Sequence, residues 1–352
     1  MLPRFPDHVP EITSNTLEDV DGDAPFPLIA VLGPTGSGKT GLALRLASQF
    51  DGEIVNCDSI QLYRGFDLGS AKVSPADRQG LPPHHLLDVL EPADVCTAGD
   101  YAVMATAVVN EIANRGRLPI LSGGTGFYVR ALLDGLAPSP KRDTRLRSRL
   151  EARERRRPGV LHRYLRRLDP VTARRVHRND RNKLIRALEI TLLARRPAEQ
   201  WFREQGRRAL RGFAALKLGL NPPREQLWET LAKRTQSMFK AGLVEEVRSL
   251  LSKGVPRSAK PFESLGYKEV LLHLDGTLTL DQAIEWTTIH TRQYAKRQMT
   301  WFRRESNIFW LSGFGHDQSI VEQATQFVAQ HLCNIGKLTP KLGYPPSSGE
   351  VS

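Results

Sequence analysis

The segment at residues 27–40 constrains this chain more than any other. PLIAVL is a short, continuously apolar run with the length of a buried strand, and it passes directly into Gly33-Pro34-Thr35-Gly36-Ser37-Gly38-Lys39-Thr40. An apolar-periodic helical pattern follows over 40–50. Strand, glycine loop and helix together satisfy G-x-x-x-x-G-K-[ST] in the context that gives the motif its meaning. Glycines let backbone N–H groups turn inward on phosphate oxygens, and the helix N-terminus adds partial positive charge. Lys39 reaches a bridging or terminal phosphate, and the Thr40 hydroxyl can ligate Mg²⁺. The motif specifies a diphosphate or triphosphate with Mg²⁺, most commonly ATP or GTP.

Two further short strands, at 53–58 (EIVNCD) and 118–122 (LPILS), flank helical pattern around 101–114. Alternating β and α with buried strands predicts an α/β fold: a P-loop three-layer core with a parallel sheet. From about 141 to 211 strand signals vanish, and the pattern becomes Arg-rich amphipathic helix, read as an inserted all-helical domain. AALKLGL at 214–220 resumes the sheet, and Pro222 and Pro223 precede one long helix over 224–253. A second long helix spans 281–305, opened by a Thr279/Gln282 capping box, and NIFWL at 307–311 forms a last strand. The expected organisation is a disordered leader (1–26), first core part (27–137), helical insertion (138–204), second core part (205–313) and a tail (314–352) with an amphipathic helix near 321–332. There are no internal repeats.

Residues 141–211 hold 24 Lys and Arg against 8 Asp and Glu, an excess larger than the +12 of the whole chain. Such a concentrated field suits a phosphate polymer, because each neutralised phosphate releases counterions. A solvated, salt-bridged helical surface is the alternative. Three widely spaced cysteines, Cys57, Cys96 and Cys333, give neither a disulfide scaffold nor a zinc site and fit a reducing compartment. No apolar run approaches the ~20 residues of a membrane span, so a cytoplasmic protein without a membrane partner is expected.

An ATPase or motor ends a second core strand in a Mg²⁺-holding acid, but LPILS runs into Gly123-Gly124-Thr125-Gly126. The one carboxylate ending a core strand is Asp58, followed by Ser59-Ile60-Gln61, a strip suited to a substrate with hydrogen-bonding edges. In a parallel sheet the loop, Asp58 and Thr125 open on the same edge and should converge. Asp58 also reads as a strand-end cap or metal-water ligand, and Thr125 as a turn residue. His84, His85 and His177 lack partners at metal-ligand spacing and read as structural. The rival functions are a small-molecule kinase using ATP and a non-catalytic RNA-binding protein switched by a nucleotide.

The chain resembles the tRNA dimethylallyltransferases (tRNA isopentenyltransferases) of bacterial type. The matching segments are GPTGSGKT at 33, DSIQLYRGFDLGSAK at 58, HHLLDV at 84, GGTGFYVRALLDGL at 123, HRNDRNKLIRALEI at 177, RTQSMFKAGLVEEV at 234, SLGYKEV at 264 and TRQYAKRQMTWFRR at 291. They occur in family order from about 28 to 310. Ser70 stands where the family usually has Thr, and Val73 where it often has Pro. The resemblance implies transfer of a dimethylallyl group from dimethylallyl diphosphate to the exocyclic amine of the adenosine just 3′ of the anticodon, in tRNAs reading codons that begin with U. It also implies that the glycine loop holds the donor's diphosphate rather than ATP, which accounts for the missing strand-end acid; no D-D-x-x-D cluster is present.

Within that resemblance the expected catalytic residues are Asp58 as general base, Thr125 as orienting hydroxyl, and Lys39 and Arg234 on the leaving diphosphate. Gly33 through Thr40 bind the diphosphate, with Mg²⁺ on Thr40. The tRNA anticodon stem-loop, its target base flipped out, is expected to meet Asp58, Ser59, Ile60, Gln61, Thr125, Arg147, Asn182, Lys183, Leu184, Ile185, Arg186, Lys296, Arg297, Gln298 and Arg303. Leu265, Gly266 and Tyr267 are expected near the RNA, Arg292 shares a helix face with Lys296 and Arg303, and Trp301 is either a stacking plane or core. The insertion is expected to pivot against the core, and relatives suggest a monomer.

Overall fold

The computed structural model describes residues 25–74 and 77–336 of the 352. The expected leader and tail lie outside these residues except for 25–26 and 314–336. In chain order the elements are β1 (Phe26–Leu32), α1 (Lys39–Gln49), β2 (Gly52–Asn56), β3 (His84–His85), α2 (Ala98–Asn114), β4 (Leu118–Ser122) and α3 (Gly126–Leu133). There follow α4 (Thr144–Arg156), α5 (Val160–Leu168), α6 (Pro170–Arg175), α7 (Arg181–Ala194) and α8 (Ala198–Gln205). The chain ends its described course through β5 (Phe213–Leu220), α9 (Arg224–Lys240), α10 (Leu243–Ser252), a 3₁₀ turn (Lys260–Glu263), α11 (Tyr267–Leu274), α12 (Leu280–Phe302), β6 (Ile308–Leu311) and α13 (Gln318–Asn334).

All strand pairs are parallel, in the order β3-β2-β4-β1-β5-β6. Strand side chains alternate between faces, and the two faces have separate cores. Leu28, Ala30, Leu32, Val55 and Leu121 pack with α2, α3, α10 and α11 on one side. Ile29, Val31, Ile54, Ile120, Leu216 and Leu218 pack on α1 and α13 on the other, α13 presenting Ile320, Ala324, Val328 and Leu332 at four-residue spacing. This is the three-layer α/β core expected from the strand–helix alternation.

Helices α4 to α7 surround a core of their own that includes Leu150, Leu161, Leu165, Leu184, Ile185 and Leu188, and α8 packs against α6 and α7. The chain leaves and re-enters the sheet through a narrow neck. Leu210 N–H donates to Leu132 O at 3.1 Å, Arg208 N–H to Leu136 O at 3.4 Å, and the Trp201 indole to Pro138 O at 2.6 Å. No helix among the described residues is long and apolar enough to cross a membrane.

The structure corrects several expectations. The helix over 224–253 is two helices, α9 and α10, because Gly242 between them takes φ 101°, a left-handed conformation that ends one helix and opens the next. Residue 26 belongs to β1 rather than to a leader, its N–H bonded to Gly212 O at 2.8 Å. β2 ends at Asn56, so Asp58 lies in the loop beyond it. The capping box at α12 is formed, Thr279 N–H donating to Gln282 Oε1 at 2.9 Å and Gln282 N–H to Thr279 Oγ1 at 3.2 Å, worth about 1 kcal/mol.

Candidate active site

Because every strand runs the same way, the loops after β1, β2 and β4 share one edge of the sheet. The glycine loop sits at the centre of that edge. Gly36 and Gly38 take φ of 78° and 85°, which lets the backbone coil around an anion without a Cβ penalty. Pro34 O collects the interior of the loop: it accepts the Ser37 hydroxyl at 2.8 Å and the Lys39 ammonium at 2.7 Å. The loop is backed by protein, with Leu227 and Leu231 of α9 behind Gly36 and Gly315 N–H donating to Ser37 O at 2.8 Å.

Asp58 and Thr125 meet beside this loop. The Asp58 carboxylate accepts the Ile60 N–H at 2.9 Å on Oδ1, turning the strip 58–61 back over the strand end. Asn56 fixes the turn from below, donating to Leu86 O at 2.9 Å and accepting the Asp58 N–H at 3.1 Å. Thr125 is the N-cap residue of α3; its N–H donates to Cys57 O at 3.2 Å and its hydroxyl accepts the Ser59 N–H at 3.1 Å. A Cβ on Gly123 would overlap the Cys57 backbone, so the close approach of the two loops requires glycine there.

The electrostatics are those of an anion site with two cations forced together. Burial first, and then Arg234 on α9, bring the Lys39 ammonium down to about 7, with Asp58 partly offsetting both. Burial also holds the Arg234 guanidinium below its ordinary value, opposed by Asp58. An incoming diphosphate would relieve both cations. Among the described residues no group of three or more His, Cys, Asp or Glu could hold a metal ion. The exposed Thr40 hydroxyl at the start of α1 instead fits a Mg²⁺ that keeps several waters and arrives on diphosphate oxygens.

The remaining residues expected at the RNA divide by burial. Asn182 and Lys183 are exposed on the first turn of α7, Lys296 and Arg297 are exposed on α12, and Arg303, which caps α12, is exposed as well. Leu184 and Ile185 are only 1% and 2% exposed and belong to the core of the helical unit, so their side chains do not face an RNA. Arg147 and Arg186 are spent on the fully buried Glu189: Arg147 holds both its oxygens at 2.9 Å, and Arg186 donates to Oε2 at 2.6 Å. Gln61 donates one amide N–H to Ser70 O at 3.0 Å, and Ile60 packs on the core. Gln298 is buried, bonded to Thr35 N–H and Gly124 O. Tyr267 is fully buried, its hydroxyl donating to Glu246 Oε1 at 2.6 Å and accepting Gly69 N–H at 3.1 Å. Trp301 covers Gly126 and lies under the Arg130 guanidinium, 4.6 Å from the ring centroid. Arg292 donates to Trp228 O at 3.4 Å and is half-buried. His85 bonds Glu53 at 2.6 Å, as a structural histidine would.

One residue of the site was not foreseen. Tyr294, on α12 one turn before Gln298, has its phenol raised by burial and by the nearby Asp58 carboxylate, which places it at the same edge. The signal was its four-residue spacing from Gln298 on one helix face.

The IPP transferase family matches residues 61–305. A protein of Solibacter usitatus named tRNA dimethylallyltransferase is 55% identical over 307 residues, covering 87% of this chain and 99% of its own. The full-length tRNA isopentenylpyrophosphate transferase of Bacillus halodurans superposes with a TM-score of 0.64 at 34% identity, over 88% of this chain and 98% of that one. A eukaryotic dimethylallyltransferase caught acting on tRNA gives a TM-score of 0.74 at 26% identity, over 90% and 81%. On the extent and identity of these matches, this chain belongs to the tRNA dimethylallyltransferase family.

Proposed function

We propose that this chain transfers the dimethylallyl group of dimethylallyl diphosphate to the exocyclic N6 of the adenosine immediately 3′ of the anticodon, in tRNAs reading codons that begin with U. Lys39 and Arg234 crowded beside Asp58 at the glycine loop carry the reading: the cations suit a leaving diphosphate, and the carboxylate suits a proton from the acceptor. The relatives named above are tRNA dimethylallyltransferases, and family membership sets aside the kinase and nucleotide-switch readings.

The target amine is a weak nucleophile because its lone pair is delocalised into the purine. As N6 forms its bond to the terminal allylic carbon, the C–O bond to the diphosphate breaks and its electron pair leaves on oxygen. One N6 proton passes to Asp58, on Oδ2, since Oδ1 is held by the Ile60 N–H. Thr125, tied to Ser59, orients the amine. Lys39, Arg234 and the loop N–H groups meet the charge growing on the diphosphate. Mg²⁺ held by Thr40 would supply further charge neutralisation on the same oxygens. The target base must leave the anticodon stack, at a cost of a few kcal/mol, and the exposed Lys296, Arg297, Arg303, Asn182 and Lys183 suit the flanking backbone. We place the reaction in the cytoplasm, carried out by a monomer.

The test is transfer of labelled dimethylallyl to an anticodon stem-loop with adenosine at and after the third anticodon position, with Mg²⁺. Wild type should label the RNA, and Asp58→Ala should lower kcat about 10²- to 10⁴-fold with RNA affinity retained. Equal losses in both would make Asp58 a binding residue. ATP turnover without label would overturn the reading altogether.

A further inference from the structure

The Gln298 amide bridges the diphosphate loop and the loop carrying Thr125. Its Oε1 accepts the Thr35 N–H at 2.8 Å, and its Nε2 donates to Gly124 O at 2.9 Å. The side chain is 6% exposed. Space for it is made by Gly124, where a Cβ would overlap Nε2; that backbone lies outside the left-handed region, so room rather than φ demands glycine. On the same helix Lys296 and Arg297 are exposed while Gln298 points into the protein.

Resting on the function proposed above, we infer that Gln298 is a positioning residue: it sets the distance between the donor's diphosphate loop and Thr125, and hence between the allylic carbon and the amine, and it does not bind RNA. An amide is suited to this because its oxygen accepts from one loop while its NH2 donates to the other on a rigid plane, with a further hydrogen bond to Tyr294 on the same helix. Carboxylate or methionine at this position cannot satisfy both. Misplacing two reactants by about 1 Å costs on the order of a hundredfold in rate, whereas removing an RNA-binding group from this helix would act on affinity.

The variants are Gln298→Met, which keeps the volume and removes both bonds, and Gly124→Ala, which keeps Gln298 and displaces its amide. Both should lower kcat at saturating substrates about ten- to a hundredfold, leave RNA affinity measured without donor within about twofold, and weaken binding of inorganic diphosphate. Lys296→Ala serves as the contrast, weakening RNA binding in a salt-dependent way. Loss of RNA affinity by Gln298→Met with kcat unchanged would overturn the inference and return Gln298 to the RNA-binding residues. Parallel losses in kcat, RNA affinity and melting temperature would also overturn it, showing general destabilisation. If wild type itself transfers no dimethylallyl, the function proposed above fails; the diphosphate measurement still decides the brace, because an unchanged affinity in both variants would sink it without any turnover.

Discussion

Raising the pH from 7 to 9 should weaken the grip of the free site on diphosphate, and the size of the effect follows from Lys39. In the ligand-free chain burial, then Arg234, bring this ammonium down to about 7 from 10.5. A bound diphosphate returns the group to at least its ordinary value, because an adjacent anion favours the charged form. Between those limits binding takes up a proton. The charged fraction of the free form falls from about one half at pH 7 to about one hundredth at pH 9, so affinity should fall about fiftyfold across that interval. At pH 8 Lys39 should contribute an uptake of about 0.9 proton per diphosphate, and the Lys39→Arg variant supplies the baseline for any proton the diphosphate itself exchanges. Titration calorimetry of inorganic diphosphate in two buffers of different ionisation heat measures this uptake directly. Lys39→Arg should flatten the pH profile, because guanidinium stays charged throughout. Zero uptake at pH 8 with a flat affinity would refute the reasoning, showing Lys39 charged in the empty loop. Stability carries the same signature with a definite sign. The folded-state value is depressed, so the unfolded chain binds more protons between about 7 and 10.5, and ligand-free stability should rise with pH through that window.

The helical unit offers a test of its own. Removing the buried carboxylate in Glu189→Ala strands Arg147 and Arg186 and frees the Asp143 N–H it accepts at 2.8 Å, so unfolding monitored by urea should show a loss of about 3 kcal/mol; a change below about 0.5 kcal/mol would mean the arginines were solvated all along. Burial raises the Glu189 value, but hydrogen bonds from Arg147 and Arg186 outweigh it and hold it below the ordinary carboxylate value. Its contribution is therefore present above about pH 4.5 and lost as pH falls through the folded value, and the variant should be less acid-sensitive than wild type. Tyr267→Phe removes the hydroxyl shared by Gly69 and Glu246 and should cost about 1–3 kcal/mol; an unchanged denaturation midpoint would show that this clamp does not hold the loop behind Asp58.

What could be read from the sequence, and what could not, follows the range of the interactions. The glycine loop was legible because strand, loop and helix are consecutive, and the common edge of Gly33, Asp58 and Thr125 followed from parallel strands alone. β3 escaped because two residues, His84 and His85, carry no periodicity. The break at Gly242 sits inside an otherwise unbroken helical pattern, and a lone glycine is tolerated there often enough that only the backbone shows which way it turned. The Gln298 bridge joins residues 174 and 263 positions away, beyond any local pattern. A resemblance transfers motifs as blocks, but a helix divides a block among its faces. In Asn182-Lys183-Leu184-Ile185-Arg186 five consecutive residues turn through more than a full circle of α7, so two fall in the core, two reach solvent, and the fifth pairs with Glu189 one turn on. The net basicity of residues 141–211 was likewise visible as a sum and silent as to its members. Arg147 and Arg186 share one buried carboxylate, and Arg175 and Arg196 pair with Glu199 and Glu204. Any field this unit offers to a phosphate therefore comes from the basic residues those acids do not hold, fewer than the 24 that the sequence counts.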